Sequence, residues 1–99
     1  MTWSTKRRPE LWDDLNILIG DLCTRWGFCN RLGGEDLVGN GEHLHADRFA
    51  RAVLEAAGLN PEFEIQWFRR FRRLFIERYG RQSISPAEYR REAAQRRRG

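Results

Sequence analysis

Between Asn60 and Gly80 the chain reads NPEFEIQWFRRFRRLFIERYG, and no other stretch narrows the possible folds as far. Phe63, Trp67, Phe68, Phe71, Leu74, Phe75 and Tyr79 recur at three- and four-residue intervals and so share one side of a helix, while Arg69, Arg70, Arg72 and Arg73 fall elsewhere on its circumference. The pattern predicts an amphipathic helix over about 61–79, with Asn60 as N-cap, Pro61 as first helical residue and Gly80 as its stop. Its aromatic side needs other apolar faces to pack against. Its arginine side is left to water or to anions.

Two more helices supply those faces. Pro9, followed by Glu10, Asp13 and Asp14 at the positive end of a helix dipole, opens a helix over about 9–26 that lines up Leu11, Trp12, Leu15, Leu18, Ile19, Leu22, Cys23 and Trp26. Gly27 is placed to end it, with Phe28 folding back. A helix over about 46–57 presents Ala46, Phe49, Ala50, Val53, Leu54 and Ala57, with Leu44 stapled on Phe49 and Gly58 as stop. Only Leu59 and Asn60 separate it from the arginine-rich helix, so the two must be neighbours. Ile84-Ser85-Pro86-Ala87-Glu88-Tyr89 then combines an N-cap, a first-position proline, a capping-box glutamate and an Ile84–Tyr89 staple. The helix it starts has little to bury beyond Tyr89, Ala93 and Ala94 and is expected to fray.

These segments define the expected fold class: an all-α, single-domain helical bundle of three main helices plus a short basic C-terminal helix. Residues 1–8 read as a flexible basic arm, 9–89 as the bundle and 86–99 as the basic helix or tail. Segment 29–42, with Gly33, Gly34, Gly39 and Gly41, reads as a flexible glycine-rich loop that matches no phosphate-cradling pattern. Ninety-nine residues suffice for one core, and a 40% hydrophobic share with four tryptophans is too apolar for a disordered chain. No apolar run approaches the ~18 residues of a spanning helix. The chain is therefore expected to be soluble and cytoplasmic, without a secretion signal.

Charge is distributed unevenly. From Arg69 onward there are eleven arginines against Glu77, Glu88 and Glu92, whereas seven Lys or Arg precede that point against eleven acids. Lys6 is the only lysine. An arginine bias suits bidentate phosphate or carboxylate recognition, and codon composition produces the same bias. Arg69, Arg70, Arg72 and Arg73, extended by Arg81, Arg90, Arg91, Arg96, Arg97 and Arg98, form the expected nucleic-acid-binding surface. Against it stands a solvated face with local ion pairs, since Glu77 lies four residues from Arg73. The competing functional reading is a protein-interaction adaptor that uses the acidic face of the first helix (Glu10, Asp14, Ile17, Asp21) or the arginine face around Ile76. Opposed acidic and basic faces also raise weak self-association as an expectation.

Cys23, Cys29, His43 and His45 make up a complete zinc set by type but not by spacing, because zinc ligands usually come in close pairs such as C-x₂₋₄-C. The expected state is two reduced thiols, Cys23 in the core, and two loop histidines, with no metal and no cofactor. No third group orients a Cys-His pair, and no catalytic residue is assigned; the chain is read as a non-enzymatic module. A helix-turn-helix over residues 46–79 is disfavoured because the first turn of the second helix would press Glu62 and Glu64 against phosphates. A basic helix lying on a membrane is disfavoured because three apolar faces can bury one another.

Overall fold

The computed structural model describes residues 9–29 and 31–98, the last three of these by backbone alone. Five helices follow one another: α1 Leu11–Trp26, α2 Gly34–Val38, α3 Ala46–Ala56, α4 Ile65–Tyr79 and α5 Pro86–Arg98. The expected basic arm 1–8 lies outside the described residues. No strand occurs among the described residues beyond a single antiparallel bridge, in which Leu44 and Ile84 exchange both backbone hydrogen bonds at 2.8 Å.

The helices end where local chemistry ends them. Gly27 is left-handed at φ 75°, and the Gly27 and Phe28 amides turn back to the carbonyls of Cys23 and Leu22. At the end of α3 the Gly58 amide donates to Glu55 and the Leu59 amide to Leu54, the paired back-bonds of a Schellman motif. His45 caps α3, its Nδ1 accepting from the Arg48 amide at 3.4 Å. Ser85 caps α5 as expected: its hydroxyl accepts from the Glu88 amide and donates to the Glu88 carboxylate, while Ile84 and Tyr89 are buried.

The structure departs from the sequence reading in two elements. Part of the 29–42 loop is helical. Gly34 lies so close to α1 that a Cβ there would stand 1.9 Å from the Trp12 carbonyl oxygen, and its amide donates to Asn16 Oδ1 at 2.7 Å. One of the loop glycines thus serves close packing of α2 on α1. The arginine-rich helix also begins at Ile65 and not at Pro61. The Asn60 side chain accepts from the Glu62 amide at 2.9 Å, closing a local turn, and Glu64 at φ −100°, ψ 54° interrupts the helical path. Phe63 is carried on this turn, 82% exposed, and is removed from the core side to which periodicity assigned it.

The core is continuous. α3 and α4 share the most extensive contact, and α1 packs on α2 and on α5. Aromatic rings form two groups along α4. Trp26 and Phe28 from the end of α1 meet Trp67 and Phe71, with centroid separations of 4.7–6.1 Å, and Phe49, Phe75, Tyr79 and Tyr89 run in sequence at 4.9–6.2 Å. Such offset and edge-on pairs add about 0.5–1.5 kcal/mol each beyond the burial of their area.

The expected pair of reduced thiols is corrected: Cys23 and Cys29 form a disulfide. The left-handed turn at Gly27 folds the chain back within six residues, which brings the two sulfurs together and brackets Phe28 where it meets Trp67 and Phe71.

Candidate functional site

Helix α4 divides its arginines by position. Successive side chains turn by about 100°, so Ile65, Arg69, Arg72, Arg73 and Ile76 occupy one face, and Arg78, nine residues after Arg69, points to the opposite side. That opposite side meets α1. There Arg78 donates from Nε and Nη2 to the two oxygens of Asp14 at 2.7 and 2.8 Å, and the Tyr79 hydroxyl donates to Asp14 Oδ2 at 2.5 Å. The Asp14 side chain is fully buried and that of Arg78 is 8% exposed. Hydrogen bonding to Asp14 holds the Arg78 guanidinium further toward its charged form than usual despite burial, while burial and then the Asp14 charge push the Tyr79 hydroxyl well above its ordinary range.

This arrangement corrects the acidic face expected on the first helix. Asp14 is interior, Glu10 pairs with Arg90 at 2.8 Å, and Ile17 is half-buried. Asp21 has one buried carboxylate oxygen without a hydrogen-bond partner. Glu10, Asp14, Ile17 and Asp21 therefore do not form a free docking stripe. Sequence reasoning assigned no role to Arg78, and its separation of 64 residues from Asp14 left no local signal of the pairing.

On the outward face, Arg69, Arg72, Arg73 and Arg81 surround a cleft of about 430 Å³ with Ile76 among its walls. Arg81 reaches this cleft because Gly80 reverses the chain at φ 93°, ψ 177°, a conformation open to glycine and strained for other residues. Among the described residues, no carboxylate lines the cleft. Arg69, Arg73 and Arg81 are exposed and form no ion pair among the described residues, so the Arg73–Glu77 pair of the competing solvated-face reading is not made. Arg72 is tied through Nε to Asp47 of α3 at 2.6 Å, and Arg70 lies 4.9 Å from the centroid of the Trp67 ring. Ile76 is half-buried and packs on the core from beneath the arginines.

A second cleft of about 410 Å³ adjoins the first and shares Arg69 and Arg72 with it. Its remaining walls come from α3 (Asp47, Arg51), the turn (Pro61, Glu62) and the start of α4 (Ile65, Phe68). Sequence reading overlooked it, because it arises only where the turn at 61–63 meets α3.

The other basic residues are dispersed. Arg90 is committed to Glu10, and Arg91 is exposed on α5. Arg96, Arg97 and Arg98 continue α5, and their side chains lie outside the described residues. The four residues weighed as a zinc set do not assemble: the cysteines bond to each other, His43 Nε2 contacts Glu88 Oε1 at 2.8 Å, and His45 caps α3. No other group of potential metal ligands occurs among the described residues, and no helix there is long and apolar enough to cross a membrane. Comparison with protein-family models, curated proteins and solved structures gives no match to this chain.

Proposed function

We propose that the protein is a non-enzymatic binding module that contacts nucleic-acid phosphates through the arginine cleft of α4, aided by the basic residues of α5. One observation carries this reading: among the described residues, Arg69, Arg73 and Arg81 converge on a cleft that no carboxylate lines, and no ion pair neutralises them. Guanidinium groups present paired donors that match phosphate oxygens, and each phosphate neutralised releases condensed counterions. Arg72, its Nε held by Asp47, keeps its terminal nitrogens for the same task.

An acidic protein segment offers carboxylates to the same donors and is the competing partner, with Ile76 as an apolar contact. The two separate by titration of a labelled single strand and a labelled duplex at about 50 and 200 mM salt, with polyglutamate as competitor. Nucleic-acid affinity is expected to fall steeply with salt, and the Arg69→Ala/Arg73→Ala/Arg81→Ala variant is expected to reduce the single-strand salt slope by about 2, at about 0.7 per phosphate contact. Absence of binding to both nucleic acids at low salt, or polyglutamate competing as well as an oligonucleotide of equal charge, overturns the reading.

A further inference from the structure

The two adjoining clefts differ in chemistry in a way that a uniform polyanion does not require. One is arginine throughout except for Ile76. The other has an apolar wall of Pro61, Ile65 and Phe68, and Glu62 and Arg51 also line it. Ile65 is 52% exposed, and the Glu62 carboxylate has no partner among the described residues. Asp47 also lines this cleft but is occupied by Arg72, which together with Arg69 lines both lobes.

A phosphate backbone laid along both lobes would meet Glu62 unfavourably. A nucleotide whose phosphate sits among Arg69, Arg73 and Arg81 and whose base enters the second lobe meets complementary groups in both. The flat base covers Ile65 and Phe68, and Glu62 accepts hydrogen bonds from an exocyclic amino group, as carboxylates do from cytosine N4. Such a base must be unpaired and splayed from its neighbours, which is how sequence is read in single strands and not in duplexes. We propose that the paired clefts form a nucleotide site selective for single strands, with Glu62 discriminating bases that carry an exocyclic amine from those that do not. This rests on the phosphate reading above and specifies it.

The test uses the full chain and four labelled probes of equal length: oligo-dC, oligo-dT, a mixed-sequence single strand and its duplex, compared with one another at each of two salt concentrations, about 50 and 200 mM. The proposal expects the mixed single strand to bind at least tenfold more tightly than the duplex, and oligo-dC at least fivefold more tightly than oligo-dT. Glu62→Ala removes a negative charge and so tightens both homopolymers, but the dC-to-dT ratio is expected to fall to about one. Ile65→Ala is expected to weaken both single strands several-fold and leave the duplex unchanged. The salt slope should stay the same in both variants, because neither removes a phosphate contact. Equal binding of duplex and single strand, or a dC-to-dT ratio that Glu62→Ala leaves intact, overturns the single-strand site while the phosphate reading stands. Loss of all four probes overturns both.

Discussion

Arg78 and Arg69 belong to the same helix, carry the same charge and lie about two and a half turns apart, on opposite sides of it, and they have opposite surroundings. Arg78 enters the interior beside a fully buried carboxylate and a tyrosine hydroxyl, and every charge there is answered. Arg69 stands with Arg73 and Arg81 around a cleft that no anionic side chain lines among the described residues. A buried charge is tolerated only when paired, so Arg78 is part of how the chain folds. Like charges gathered at the surface without partners do nothing for folding, so they are where a function is to be sought.

The comparison breaks most readily on the buried side. Arg78→Met is expected to cost about 3–5 kcal/mol, because Asp14 is left interior and without its cation. Replacing both, Asp14→Leu with Arg78→Met, is expected to recover most of that loss, since a well-packed apolar pair often equals a buried ion pair. Denaturant melts of the single and double variants decide it. A single variant losing under ~1 kcal/mol, the range of an exposed pair, would place Arg78 with the surface arginines.

Tyr79 sharpens the same point through pH. Its hydroxyl titrates higher in the folded chain than its ordinary value of 10.0, so the folded state holds a proton that the unfolded state releases. Its contribution is fully present below pH 10 and is lost as pH rises above it. Tyr79→Phe is expected to cost about 1.5–3 kcal/mol at neutral pH, the range for a hydrogen bond to a charged group, and to flatten the alkaline slope. Stability curves measured from pH 8 upward test this, and identical slopes in both proteins would contradict it.

What the sequence revealed follows the same division between local and distant causes. The caps at Ser85 and Gly27, the tight link at Gly58 and the outward face carrying Arg69, Arg72 and Arg73 are set by residues three to five apart. They were legible for that reason. The Asp14–Arg78–Tyr79 network, the Leu44–Ile84 bridge and the second cleft join segments tens of residues apart, and no periodicity encodes them. Phe63 was misplaced because helical spacing was extended through residues 61–64, where the Asn60 side chain holds a turn. Gly34 was read as loop freedom, whereas its missing side chain serves contact with Trp12.

Between the two extremes lies Arg72, outward-facing yet bonded to Asp47 with both side chains at least half exposed. A double-mutant cycle on Arg72→Ala and Asp47→Ala is expected to give a coupling of about 0.2–1 kcal/mol, shrinking in high salt. A coupling near that of Asp14 and Arg78 would show that the face of α4 is structural after all.

The smallest stability effect is expected where the binding effect is largest. Removing Arg69, Arg73 and Arg81 together takes away three exposed side chains and no ion pair among the described residues, so the cost should lie within about 0.5 kcal/mol of zero. Its sign is informative as well. Four guanidinium groups around one cleft repel one another, and relief of that repulsion should make the variant slightly more stable than the parent at low salt. Screening shortens the range of such forces to about 3 Å at 1 M salt, so the advantage should vanish there. Melts at both salt concentrations measure it. A gain that disappears with salt identifies a surface held at a cost to folding, as expected of arginines kept for a partner, whereas a loss above 1 kcal/mol would assign them to the fold alongside Arg78.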